Sequence, residues 1–145
     1  MSKNLRIGFT AAAVALALTS SVRAADVVKI GVNVPQTGFA AADGKSALTG
    51  IQLAVEKANA NNGINGKQIE LIVYDDQASP KNSVPIATKL ANKDKVAVAI
   101  SGSYSSPTRA AAGVFQRSKV PYISAFAVHP DITRAGNYVF RTSFV

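Results

Sequence analysis

Two neighbouring carboxylates, Asp75 and Asp76, one histidine, His129, and a hydroxyl-rich loop, Ser101-Gly102-Ser103-Tyr104-Ser105-Ser106, are the residues whose types and spacing could do chemistry. Paired carboxylates suit a metal ion or general acid–base work. Their simpler use is to end a strand and help turn the chain into the next helix. Serine beside histidine suits acyl transfer, but the loop has no Gly-x-Ser-x-Gly elbow, and any triad would have to take His129 as its base. His129 stands before Pro130 and reads as an ordinary loop histidine. With no cysteine, thiolate zinc sites, disulfide scaffolds and cysteine nucleophiles are excluded. Nucleotide phosphates lack their glycine cradle, because NVPQTGFAAADG contains no GxGxxG and the chain has no GxxxxGK[ST]. Recognition remains. The serine loop runs into a helix start, where unpaired N–H groups and the helix dipole favour an anion such as a carboxylate. A serine there either caps the helix or donates to a ligand.

The elements that must position these residues follow from the hydrophobic pattern. Val27 to Val34 is a β-branched run with little alternation, the pattern of a central strand buried on both faces. From Ser46 to Asn61, Leu48, Ile51, Val55 and Ala58 recur at helical spacing, and Asn62-Gly63 ends the helix. Gln68 to Asp75 predicts a second strand. Ser79-Pro80 opens a helix with Val84, Ala87, Leu90 and Ala91 as its apolar stripe, and Val96 to Ile100 predicts a third strand. Ser106-Pro107 repeats the cap-then-proline signal for a helix through Arg117. Tyr122 to Ser124, a short helical turn after Pro130, and Tyr138 to Arg141 complete the pattern. Strand and helix alternating in this way predict an α/β fold with a doubly wound parallel sheet of about five strands. Ligands of such sheets sit beyond the carboxyl ends of the strands, which draws attention to Pro35 to Lys45, Ser101 to Ser106 and Ala125 to Pro130.

At 145 residues, 48% hydrophobic and 17% charged, the composition is that of one globular domain plus a targeting segment. Residues 1–24 predict a cleavable signal peptide. Lys3 and Arg6 precede the uncharged run Ile7 to Val22, and Val22-Arg23-Ala24 suits cleavage before Ala25. That run, about 16 residues long, is shorter than the roughly 20 that span a bilayer. The formal charge of +8 suggests an anionic partner, but removing Lys3, Arg6 and Arg23 leaves 13 basic against 8 acidic residues, +5. These are spread evenly along the chain, the pattern of a solvated surface, and no nucleic-acid partner is expected.

The TG after the first strand, NNGINGKQIELIVYDDQASP, the GSYSS loop and the PYIS…HPDIT…NYVFRTS run together resemble the amino-terminal lobe of type I periplasmic substrate-binding proteins of branched-chain amino-acid ABC transporters. The resemblance covers nearly all of residues 27–145. It implies one lobe of a two-lobed periplasmic binding protein-like fold, residues 25–145, with the second lobe absent and no catalysis or cofactor. The expected function is capture of a small polar ligand, a branched-chain or other amino acid, in the periplasm for delivery to an ABC permease and its ATPase. By resemblance, Ser105 would hold a ligand carboxylate, with Tyr104 beside it. The backbone groups of Phe126, Ala127 and Val128 would face the ligand's ammonium and carboxylate, and Asp43 would stand where branched-chain binders carry a nearby Tyr. Amino-acid binders have Thr where Val128 stands, so amides, urea or aromatic acids are alternative ligands. A sensory receptor module of the same fold, or an exported α/β hydrolase relying on His129, are the other readings.

Overall fold

Ile30, Val32 and Val34 alternate with Gly31 and Asn33 along β1 (Val28–Val34), and both sets are buried, as the apolar run predicts for a central strand. The computed structural model of the chain describes residues 27–143, so the expected signal peptide lies outside the described residues. β2 (Ile69–Asp75), β3 (Val98–Ser101), β4 (Tyr122–Ser124) and β5 (Val139–Arg141) join β1 in one parallel sheet of order β2-β1-β3-β4-β5. The strand order reverses at β1, which pairs with β2 on one side and β3 on the other. This is the doubly wound α/β fold anticipated from the pattern.

The face carrying Gly31, Ala99, Tyr122 and Val139 is covered by α2 (Pro80–Thr88), its π-helical continuation Lys89–Asp94, α3 (Ser105–Ser118) and a 3-10 turn, Pro130–Ala135. Ala87, Leu90, Ala111, Phe115 and Ile132 are fully buried there, and the Phe115 and Tyr122 rings stack with centroids 4.4 Å apart. Each large side chain buried in this way contributes about 1.5–3 kcal/mol. At Gly31 a Cβ would lie 2.8 Å from a Leu90 methyl, so any larger residue there would require Leu90 to shift.

On the opposite face α1 (Ala41–Ala60) stands alone among the described helices. Its expected stripe of Leu48, Ile51, Val55 and Ala58 does turn inward but is only half-buried. Between α1 and the sheet lies an apolar groove of about 620 Å³, walled by Ile51 and Val55 on the helix and by Ile30, Ile100 and Ile123 on the strands. The helix is tied at both ends. Gly44 packs on Pro35 so closely that a Cβ would fall 1.8 Å from the Pro35 carbonyl oxygen. Near the other end the Asn59 amide pairs with β2 like a strand, accepting the Ile69 N–H at 2.8 Å and donating to the Ile69 carbonyl at 3.0 Å.

Three boundaries differ from the sequence expectation by more than one residue. α1 starts at Ala41 rather than Ser46, because Gly44 serves a close helix–loop contact instead of breaking the chain. α3 starts at Ser105 with Tyr104 as its cap residue, so Ser106 lies inside the first turn rather than capping it. β3 runs Val98–Ser101 rather than Val96 to Ile100: Val96 is held by the Leu90 carbonyl, closing the π-helical turn before the strand begins. Ser79 does stand at the cap position before Pro80, although its hydroxyl makes no cap hydrogen bond.

Candidate ligand-binding site

The carboxyl ends of β1, β2 and β3 are bound together by polar side chains inside an otherwise apolar core. Asp76 is fully buried and accepts four hydrogen bonds: Asn33 Nδ2 (2.9 Å) and Ser83 Oγ (3.1 Å) on Oδ2, the Ala78 N–H (2.9 Å) and Ser103 Oγ (3.1 Å) on Oδ1. Asn33 Oδ1 accepts the Tyr122 hydroxyl at 2.9 Å, and burial pushes that phenol far above its ordinary value. Ser101 and Thr108 hydroxyls meet at 2.7 Å, and the Ser103 N–H donates to Ser101 Oγ at 3.3 Å. Every buried side-chain polar atom among the described residues has a partner, so this network fixes the Ser103-Tyr104-Ser105 segment.

Asp75 holds the neighbouring loop. Its carboxylate accepts the Gln36 N–H (2.8 Å), the Thr37 hydroxyl (2.6 Å) and the Gln77 N–H (2.9 Å). Partial burial pushes its pKa up, but these hydrogen bonds outweigh burial and hold it below the ordinary aspartate value. Both carboxylates therefore take the strand-ending role, each accepting an N–H from the turn that follows, where Gln77 and Ala78 have left-handed φ angles of 53° and 54°.

Three of the residues expected to contact ligand come together on this edge. The Tyr104 hydroxyl donates to Asp43 Oδ2 at 2.5 Å, which raises the pKa of the phenol, chiefly through that hydrogen bond. The Tyr104 ring lies 5.5 Å from that of Phe126 and 5.8 Å from that of Phe39, so three loops contribute to one aromatic row. Phe39 is 82% exposed and Phe126 41%. Ser105 is the first residue of α3, and its Oγ accepts the His129 N–H at 3.4 Å. Because the Thr108 N–H returns to the Tyr104 carbonyl and Pro107 has no N–H, the Ser105 and Ser106 N–H groups have no helical carbonyl to reach. They offer donors to an anion beside Tyr104.

The segment after β4 is arranged differently. Ala127 is buried, and its carbonyl accepts both Ser124 Oγ and Ser143 Oγ at 3.0 Å. The Val128 carbonyl accepts Arg141 Nη1 at 2.5 Å, while the Val128 side chain is exposed. These two carbonyls are thus already engaged within the chain, which departs from the expectation that they face a ligand. His129 has a structural role: its Nδ1 accepts the Asp131 N–H at 3.2 Å, capping the 3-10 turn, and Asp131 in turn pairs with Arg109 and Arg134. Among the described residues no hydrogen bond joins the His129 ring to a serine hydroxyl.

Sequence reasoning missed Phe39 and the Asn33–Asp76–Tyr122 network. The usable signal was Asn33 itself, a polar residue in an otherwise apolar central strand, which must find a buried partner.

The carboxyl edge of a parallel doubly wound sheet is where such folds hold ligands, and here it presents an aromatic row beside open helix N–H groups. The family model described as periplasmic binding protein matches residues 27–145, and the chain belongs to that family. It is 37% identical over 133 residues to the leucine-, isoleucine-, valine-, threonine-, and alanine-binding protein of Pseudomonas aeruginosa, covering 90% of this chain and 35% of that protein. Among solved structures it resembles the isoleucine complex of a branched-chain amino acid transporter substrate binding protein from Streptococcus pneumoniae (TM-score 0.78, 34% identity, 81% of this chain and 34% of that one). It also resembles a solute binding protein of an ABC transporter from Rhodopseudomonas palustris in complex with 3,4-dihydroxy benzoic acid (TM-score 0.76, 37% identity, 82% and 32%). The chain spans about a third of the length of these relatives. All three are named as binding proteins.

Proposed function

We propose that the chain is one lobe of an exported solute-binding protein, residues 25–145 following a signal peptide of residues 1–24, that captures a small carboxylate solute in the periplasm for uptake by an ABC permease and its ATPase. The observation that carries the reading is the juxtaposition of the open Ser105 and Ser106 N–H groups with the Tyr104–Phe126 rings at the carboxyl edge of the sheet. A carboxylate at the start of α3 gains donors and a favourable dipole, and the rings give the rest of the solute an apolar wall. Ser105 would donate its hydroxyl to the carboxylate, and the N–H groups of the segment from Phe126 to Val128 would line the other side. The relatives' names support an amino acid, branched-chain or other, as the solute. An aromatic acid is the second reading, favoured by the exposed ring surface and by the ligand of the Rhodopseudomonas palustris relative. Calorimetric titration of the mature protein with amino acids, amides and aromatic acids tests this. Saturable heat with one carboxylate class is expected, and no heat with any of them defeats the proposal.

A further inference from the structure

The face of the sheet that carries α1 is only half covered. Ile100, Ile123 and Phe140 lie in register across β3, β4 and β5 on that face, while their neighbours Ala99, Tyr122 and Val139 point into the core on the other. Among the described residues no helix lies over these three, and Phe140 is half exposed. The apolar groove runs between them and α1, whose own Leu53 is 66% exposed.

The helix beside that groove has an ordered pattern of charge. Asp43, Gly50 and Lys57 follow one another at seven-residue intervals, which places them on one line about 21 Å long down α1. Asp43 and Gly50 border the groove, and Lys57 continues their line. Asp43 is exposed, and its carboxylate has the Tyr104 hydroxyl as its one partner among the described residues. Lys57 is exposed and has no carboxylate partner among them. At Gly50 a Cβ would meet nothing within 4 Å, so no contact inside the chain calls for a glycine, which is unfavourable in mid-helix.

A line that is acidic at one end, basic at the other and bare in the middle is its own complement when reversed. We infer that α1 is the contact between two copies of this chain, packed antiparallel about a twofold axis at Gly50. In that register Asp43 of each copy meets Lys57 of the other, the bulky Leu53 meets the small Ala47, and the two glycines let the helices approach closely. Each pairing occurs twice, and the second helix roofs the groove. The 20 residues of α1 span about 30 Å, and a strip about 20 Å wide buried on each copy gives about 1,200 Å² in all, the lower end of specific interfaces. The association is therefore weak and reversible. It uses the flank of α1 and goes beyond the solute-binding reading.

Sedimentation velocity on the mature chain over a dilution series tests this, with circular dichroism as the check on folding. A dimer that dissociates on dilution is expected. Asp43→Lys and Lys57→Asp should each weaken it at least about tenfold, because each turns two attractive pairs into two repulsive ones, and the double reversal should restore it. Leu53→Asp, at a position whose side chain is not part of the core, should also weaken it with the fold intact. A monomer at every concentration, a dimer that neither single reversal disturbs, or a double reversal as weak as the singles overturns the inference. Each of these leaves solute binding, read by titration, standing.

Discussion

Asp76→Asn keeps the shape of the buried carboxylate and changes only what it can accept. Asp76 meets four donors, two on each oxygen, and two of the four cannot reverse. The Ala78 N–H is main chain, and the Asn33 NH2 group is held by the commitment of Asn33 Oδ1 to the Tyr122 hydroxyl. Whichever way the new amide points, its NH2 group faces one of these donors. Turning Asn33 over relieves one clash only by pressing its own NH2 on the Tyr122 hydroxyl, which then needs a new acceptor. An orphaned buried donor costs about 1–3 kcal/mol, and replacing charge-assisted bonds with neutral ones adds about 1 kcal/mol. The sum is about 3 kcal/mol, a large share of the roughly 5–15 kcal/mol that holds a domain folded. In urea, with a slope of about 1.5 kcal/mol per molar, the unfolding midpoint should fall by about 2 M with the slope unchanged. A midpoint shift under about 0.3 M would show that the network tolerates a misplaced donor and that the reasoning about Asp76 is wrong.

Other perturbations separate contacts in the same way. Ser105→Ala should weaken ligand binding about tenfold while the melting temperature holds, because the hydroxyl is not the α3 cap and its one bond, from the His129 N–H, is long at 3.4 Å; unchanged affinity with stability lost would make the serine structural. Gly44→Ala drives a Cβ to 1.8 Å from the Pro35 carbonyl oxygen and should destabilise by about 2–3 kcal/mol in thermal melts, whereas Gly50→Ala, in the same helix with open space around it, should stabilise by about 0.5–1 kcal/mol. Equal effects at the two glycines would refute the close contact. Because the folded-state pKa of Asp75 is depressed, its stabilising contribution is present above the unfolded value of 3.8 and is lost as pH falls through the folded value. Asp75→Asn should therefore narrow the stability difference between pH 6 and pH 3, and an identical acid profile in the variant would contradict this.

The sheet was legible because its strands are short apolar runs separated by turn residues, and local composition suffices to find them. The start of α1 was not, because Gly44 reads locally as a breaker and only the proximity of Pro35 across the loop shows why glycine belongs inside the first turn. The cap of α3 was misplaced for a similar reason. Ser106-Pro107 carries the local signal, yet Thr108 and Ser103 are tied to Ser101 in the core, and the helix starts two residues earlier. Of the candidate site, Ser105, Tyr104 and Asp43 could be placed by resemblance to known binding proteins, whereas Phe39 joins the row only through loop geometry that no periodicity encodes.

The two ties on α1 are unequal in kind. One presses Gly44 against main chain one residue from Asp43, and the other is a side-chain clasp by Asn59 on the first residue of β2. Mechanically the helix is a beam clamped at the carboxyl edge of the sheet and pinned at its far end, with the apolar groove beneath its span. A side chain that filled the groove should therefore tilt the helix at the Asn59 pin sooner than at Gly44, whose main-chain contact leaves no room to move.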